Sequence, residues 1–229
     1  MSANVMIFPS LACCDPGKRV NYLRAFEQAH VEAIHFDVTD GHYSPTICLG
    51  VDDFKDVRRH TSLPIDLHLA VQNPEQCIDF FPLCQGDRCS FHPEVCNQPY
   101  QTLQRLAKRG VHAGLAISPG VPIDYLRECF GVLDFVLVMA VNPGFAGQKI
   151  VPNHFEKLAR VVRLAWESEL PMEVIVDGNT TAEHAARMVG IGASGLVVGS
   201  SSLIHGSPSR FLKKYPEYFA RVSGTVSAK

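Results

Sequence analysis

The sequence predicts a single (β/α)8 barrel of the TIM type spanning residues 1–229, and three observations carry that expectation. Eight short apolar runs recur along the chain, longer stretches of helical pattern separate most of them, and 229 residues suit one barrel of about 250. In order, the runs are VMIFPSL (5–11), AIHFDV (33–38), PIDLHLAV (64–71), RCSFH (88–92), HAGLAI (112–117), FVLVMAV (135–141), MEVIVD (172–177) and SGLVVGS (194–200). They are nearly continuous rather than alternating, the pattern of parallel strands buried on both faces. Helices are expected over Arg19–Ala29, Pro74–Phe81, Tyr100–Arg109, Pro122–Phe130, Asn153–Ser168 and Thr181–Val189. Several begin with Pro or Thr, residues that suit a first helical turn, and some end near Gly. A last helix and a frayed tail follow Ser207. No Pro/Ser/Gly-rich linker divides the chain. A doubly wound sheet would use the same strand count, and closure is what separates the two.

Composition narrows the function classes. Hydrophobic residues make up 46% and charged residues 19%, so the chain can build a sizeable core and is not a disordered segment. Lys and Arg total 21 against 23 acids, a formal net charge of -2 with pI about 6.5, which disfavours nucleic acid as a partner. The eight cysteines form no CxxC pair and read as reduced thiols. No apolar run approaches the ~20 residues of a membrane span, and MSANVMIF lacks a signal-peptide pattern, so a cytoplasmic protein without membrane contact is expected.

In a barrel the C-terminal ends of the strands carry the site. His35 and Asp37, two apart on the second run, point to one side of their strand; His68 stands near the end of the third run, and Asp177 closes the seventh. Any one of them reads most simply as a hydrogen-bonded strand-end group. Together, two imidazoles and two carboxylates make a ligand set for one divalent transition metal ion such as Zn, Fe, Mn or Co, because buried charge is costly unless paired or metal-bound. Asp66 shares a strand face with His68 and reads equally as a partner to a ligand or as a structural carboxylate, and Asp40, in the loop, reads as a turn residue or a partner to a ligand rather than as a ligand.

Glycine builds the second constellation: NPGFAGQ (142–148), DGN (177–179) and VVGSSS (197–202). Loops after the last strands, with amides free to approach an anion, form the common phosphate site of this fold. Gly178, Gly199, Ser200 and Ser201 are the main candidates, with Gly144 and Gly147 in the same loop system. A tight strand-to-helix turn also wants glycine, so each loop alone is weak and the three together carry the reading.

The strings FPSL, HFDVTDGHYSP, PIDLHLAV, FHPE, AGLAISP, VLVMAVNPGFAGQ, VDGNTT and VVGSSSLI resemble, in order over residues 5–204, the motifs of the ribulose-phosphate 3-epimerase family. The resemblance implies a (β/α)8 metalloenzyme that inverts carbon 3 of a small ketose phosphate, of the D-ribulose 5-phosphate to D-xylulose 5-phosphate type. It implies that His35, Asp37, His68 and Asp177 hold the metal, with Asp37 and Asp177 also the acid/base pair; that Ser10 contacts substrate; that Met139 lines the pocket; and that the protein is a homo-oligomer. His92 matches a motif histidine of open role. The residue types suit the chemistry: a metal that polarises the ketone stabilises an enediolate, and carboxylates on opposite faces exchange the proton. No nicotinamide or flavin is required.

Departures from the family strings concern the substrate wall. Thr39 and Ala70 stand where the family has methionines, leaving Met139, so a wider or more polar pocket is expected. Cys13, Ala146 and Asn179 are further departures, and Cys13, FAGQ and the non-glycine after Asp-Gly resemble the allulose-6-phosphate 3-epimerase branch, whose substrate is one carbon longer. A phosphate-binding barrel lyase is a competing reading, but a Schiff-base enzyme wants a strand lysine and none of the eight runs contains one. A non-catalytic sugar-phosphate sensor would be favoured by loss of a ligand or an acid/base aspartate, and all four are present. Trp166 is expected to pack against the barrel, and Cys13 and Cys14 to occupy opposite faces of a strand in the core.

Overall fold

The computed structural model describes residues 5–224, so the chain's first four residues and the tail expected after the last helix lie outside them. All eight expected strands form: β1 (Met6–Pro9), β2 (Ile34–Thr39), β3 (Ile65–Ala70), β4 (Arg88–Phe91), β5 (His112–Ile117), β6 (Phe135–Met139), β7 (Glu173–Asp177) and β8 (Gly195–Val198). They pair in parallel in the order β1-β8-β7-β6-β5-β4-β3-β2. A bridge between Ser10 and His35 brings β1 to β2 and nearly closes the barrel, which excludes an open doubly wound sheet. Register sets the mouth: Asp37 lies opposite His68, and Met139 opposite Asp177.

The strands are apolar on both faces because both are covered. Phe8, Ala33, Ala116, Phe135, Leu137, Met139, Ile175 and Val197 fill the barrel interior. A larger cluster joins the outer strand faces to the helices. Helix α1 (Arg19–Gln28) buries Tyr22, Leu23 and Phe26, spaced as one helical face requires; burying a side chain such as Phe26 contributes about 1.5–3 kcal/mol. Helices α4 (Pro99–Lys108), α5 (His154–Glu167), α6 (Ala182–Ile191) and α7 (Pro208–Ser223) follow the expected stretches, with Thr181 and Ser207 accepting backbone N–H groups as N-caps.

Five readings need correction. The Pro74–Phe81 stretch divides into a short α3 (Pro74–Cys77) and a 3-10 turn, Ile78–Phe80, and the β5–β6 connection is a 3-10 segment, Ile123–Cys129. Helix α2 (Val51–His60) was not among the expected stretches; only Phe54 and Val57 are buried in it, too few to mark an apolar stripe within so charged a segment. Trp166 is 81% exposed, because it falls off the Leu158, Val161 and Ala165 stripe by which α5 meets the barrel. Cys13 and Cys14 lie at a 3-10 turn after β1, not on a strand; Cys14 is buried, while Cys13 lines the cleft at the barrel mouth. All eight cysteines are free, and among the described residues no helix is long and apolar enough to cross a membrane.

Candidate metal centre and active-site cleft

A cleft opens at the C-terminal ends of the strands. Ser10, Asp37, His68, Met139, Asp177, Gly178, Gly199, Ser200 and Ser201 line it, and Gly144 and Gly147 line it from the β6–α5 loop. His35 alone among the expected site residues lies beneath this surface, fully buried.

The four expected ligands converge. One ligand atom from each of His35, Asp37, His68 and Asp177 lies within 4.8 Å of the others. His35 Nε2 and His68 Nδ1 each stand 3.0 Å from the same oxygen, Asp37 Oδ1, while the Ser10 hydroxyl donates to Asp37 Oδ2 at 2.9 Å. Asp177 Oδ2 is 4.0 Å from His35 Nε2. Behind His35, Nδ1 lies 2.8 Å from Asp66 Oδ2. Since a carboxylate only accepts, that nitrogen bears a proton, and in the neutral ring Nε2 presents a lone pair toward Asp37. Either a proton or a cation must then mediate the approach of Nε2 to a carboxylate oxygen, and two imidazoles with two carboxylates suit a divalent transition metal in this position.

The electrostatics follow from burial and these neighbours. Burial opposes charge on His35, but Asp37 and Asp66 outweigh it and hold the imidazole well above its usual range. Burial would raise Asp37, yet the two histidines hold it well below the usual carboxylate range. Asp177 has no such close partner, and burial pushes it up to about 6 with Asp37 adding to the rise. Two carboxyl groups of unlike proton affinity therefore face one cleft, as acid/base chemistry requires.

Asp66 is held in turn from the barrel floor, where Arg88 stands 3.6 Å from its other oxygen. Arg88 also donates to Glu173 at 2.6 Å and lies over the Phe135 ring at 4.2 Å. Asp40 accepts the backbone N–H groups of His42, Tyr43 and Gln72, a turn role as expected.

The opposite wall is built by peptide groups. Gly178 has φ +107°, and a Cβ there would meet Val141 at 2.7 Å. A Cβ on Gly199 would meet the Cys13 sulfur at 2.9 Å. The Thr180 hydroxyl donates to Val197 O at 2.6 Å, tying the loop after β7 to strand β8, and Asn179 Nδ2 donates to Gln148 O at 2.7 Å, joining the loops after β6 and β7. From the other side, Thr46 Oγ1 donates to Gly144 O at 2.6 Å and lies 3.4 Å from the Thr39 hydroxyl. Thr39 and Ala70 line the cleft, as expected for a wall that has lost two long side chains.

The residue reading missed a polar group behind His68. His92, Ser118, Tyr43 and Glu94 connect in sequence from its Nε2 outward. FHPE and GHYSP held the signal, a His, a Glu and a Tyr among strand-end motifs, but nothing local joins residues separated by 51 and 75 positions. Burial, with His68 alongside, holds His92 well below the usual imidazole range. Also missed was Lys157, whose ammonium is buried behind the β5 end and donates to the carbonyls of Ser118, Pro119 and Val121.

Comparison with known proteins finds relatives along almost the whole chain. The model of the ribulose-phosphate 3 epimerase family matches residues 6–203. The ribulose-phosphate 3-epimerase of Bacillus subtilis is 34% identical over 207 residues, covering 90% of this chain and 94% of that protein. That of Escherichia coli K12 is 31% identical over 219 residues, covering 95% and 97%. Among solved structures, a mutant tryptophan synthase alpha-subunit from Pyrococcus furiosus superposes with TM-score 0.63 at 17% identity, over 98% of this chain and 99% of that one. Thiamine phosphate pyrophosphorylase from the same organism gives 0.59 at 12% identity, over 99% and 97%. At such identities these two matches speak to the barrel alone.

Proposed function

This chain belongs to the ribulose-phosphate 3-epimerase family, and we propose that it inverts carbon 3 of a ketose phosphate, interconverting D-ribulose 5-phosphate and D-xylulose 5-phosphate. The observation that carries the reading is the convergence of Asp37 and Asp177 with two imidazoles at one cleft, all four ligand atoms within 4.8 Å. Inversion needs two proton carriers: one carboxylate takes the C3 proton and the other returns one from the opposite face, whereas a lone base only exchanges or isomerises. The unlike surroundings of the two aspartates support that division.

His35, Asp37, His68 and Asp177 would hold one divalent transition metal ion, Zn, Fe, Mn or Co. Such an ion supplies Lewis acidity, polarising the ketone and dispersing the charge that develops as C3 loses its proton. The rest falls to the chain. Ser10 orients Asp37 through its hydroxyl and reaches the substrate; Met139 provides an apolar floor. Among the described residues no Lys or Arg lines the cleft, so the phosphate is held by Gly178, Gly199, Ser200 and Ser201, with Gly144 and Gly147 on the same wall. The absence of a lining lysine weighs against a Schiff-base lyase, since the buried Lys157 is occupied by three carbonyls. Thr39 and Ala70 leave room for a longer sugar, which keeps D-allulose 6-phosphate as the second substrate to try.

Proton exchange by NMR in heavy water tests the proposal, with metal-replete protein incubated separately with each sugar phosphate. Deuterium at C3 together with the epimer, both lost in Asp177→Asn, is expected. Protein shown to hold metal that exchanges C3 of neither sugar would sink it, and protein that neither exchanges C3 nor retains metal after loading would favour a sensor.

A further inference from the structure

Behind His68, on the side away from the cleft, a chain of four contacts runs outward. His68 Nε2 is 3.0 Å from His92 Nε2; His92 Nδ1 is 3.2 Å from Ser118 Oγ; Ser118 Oγ is 2.8 Å from the Tyr43 hydroxyl; and that hydroxyl donates to Glu94 Oε1 at 2.6 Å. His68, His92 and Ser118 are buried, so no solvent interrupts the middle of the chain, and the Tyr43 ring packs on His92 at 4.7 Å between centroids.

Counting protons gives the chain one direction. A carboxylate only accepts, so the Tyr43 hydroxyl spends its single proton on Glu94. Ser118, also with one proton, must then donate to Tyr43 and accept from His92, which places the His92 proton on Nδ1. A neutral His92 therefore accepts at Nε2, and the donor opposite is His68 Nε2–H. In the neutral ring the lone pair of His68 is then left on Nδ1, the atom 3.0 Å from Asp37 Oδ1 at the cleft.

We propose that His92, Ser118, Tyr43 and Glu94 are positioning residues whose one-way hydrogen-bond chain holds His68 as its Nε2–H tautomer, so that Nδ1 is the metal-ligating atom. The proposal rests on the reading of His68 as a metal ligand. Asp66 does the complementary work for His35, holding the proton on Nδ1 and freeing Nε2, so the two imidazoles present opposite ring nitrogens to one carboxylate oxygen. Lys157 secures the chain's middle by binding the carbonyls of the segment that carries Ser118. Burial and the Glu94 carboxylate raise Tyr43 well above the usual phenol range, which keeps the terminal proton in place. Tyr43 also shares a loop with Thr46, which bonds the facing Gly144 carbonyl, so one loop serves both the metal centre and the cleft wall.

The test reads tautomers in metal-free protein labelled with 15N-histidine, by long-range proton–nitrogen correlation at alkaline pH, and metal affinity separately by chelator competition with Zn2+. Wild type should show His68 protonated on Nε2. Tyr43→Phe lets the Ser118 proton turn back toward His92, and the opposite His68 tautomer should become populated. His92→Leu should weaken Zn2+ binding by about 10–100-fold, while His92→Gln, whose amide can accept from His68 and donate to Ser118, should restore it to within a few-fold. Thermal melts of the metal-free variants separate lost folding from lost positioning, and Tyr43→Phe serves if His92→Leu does not fold. A wild-type His68 protonated on Nδ1, or equal weakening by His92→Leu and His92→Gln, would overturn the proposal. The tautomer measurement uses neither sugar nor metal, so it fails or succeeds independently of the epimerase reading.

Discussion

On the β2–β3 wall of the cleft the functional atoms belong to side chains, and on the β6–β8 wall most belong to peptide groups. The first wall sets His35, Asp37 and His68 in fixed orientations through Asp66, Ser10 and His92. The second offers Gly144, Gly147, Gly178 and Gly199, with Asp177 its single ionisable group lining the cleft among the described residues. The first can be disabled by exchanging one atom in a side chain; the second tolerates changed side chains and is disabled by adding a Cβ. Two buried imidazoles, His35 at the first wall and His154 behind the second, shift oppositely. His35 lies between two carboxylates and is raised. His154, at the start of α5 beside the Met139 carbonyl, has no acid against it, and burial, with Lys157, His184 and Arg187 nearby, lowers it to about 4.

The largest expected effect comes from removing the carboxylate that the β6–β8 wall brings to the cleft. Asp177→Asn should reduce kcat by ~10²–10⁴-fold at little cost in stability; a variant within tenfold of wild type in steady-state turnover would remove Asp177 from the acid/base pair. Next is the pH dependence of stability set by His154. Its proton affinity falls on folding, from an ordinary value of 6.5 to about 4, so the unfolded chain binds more protons between those values. Stability is present above pH 6.5 and should decline by roughly 3 kcal/mol as pH falls toward 4. His154→Gln should flatten that part of a melting-temperature profile, and a slope unchanged in the variant would show that another group is responsible.

Gly178→Ala sharpens the contrast between the walls. The φ of +107° and the close Val141 side chain make a Cβ costly by about 1–3 kcal/mol, which on a phosphate loop should appear as a KM raised ~10-fold or more with kcat largely kept. A fall in kcat at constant KM would mean that the loop acts through the adjacent Asp177 instead. Smallest is Trp166→Gln, on the exposed side of α5, expected within about 0.5 kcal/mol of wild type in denaturant melts. A larger loss would reveal a covered surface around this residue.

Much of this was legible in local pattern. Every strand coincided with an apolar run, because a strand buried on both faces is marked by composition alone, and His35, Asp37, His68 and Asp177 stood out as polar residues in such runs. Helix α2 escaped because Phe54 and Val57 are the only buried residues in a charged segment, its stability resting on contacts with neighbouring elements. Trp166 misled because an aromatic residue in a helical stretch says nothing about which side of the helix it occupies until the rest of the stripe is placed. Cys13 misled because its run turns into a 3-10 segment two residues after the strand ends, which swings its sulfur toward Gly199 at the cleft.

The sequence by itself determined the barrel, the two imidazoles and two carboxylates that meet at its mouth, and the glycine loops, since each depends on residue type at a strand end or turn and needs no knowledge of distant neighbours. Only the tertiary structure decided that Asp66 backs His35, that Lys157 grips the β5 end, and that His92, Ser118, Tyr43 and Glu94 form one line behind His68. The reason is physical: a hydrogen bond's direction depends on which donor faces which acceptor within about 3 Å, and for residues tens of positions apart only closure of the barrel sets that distance.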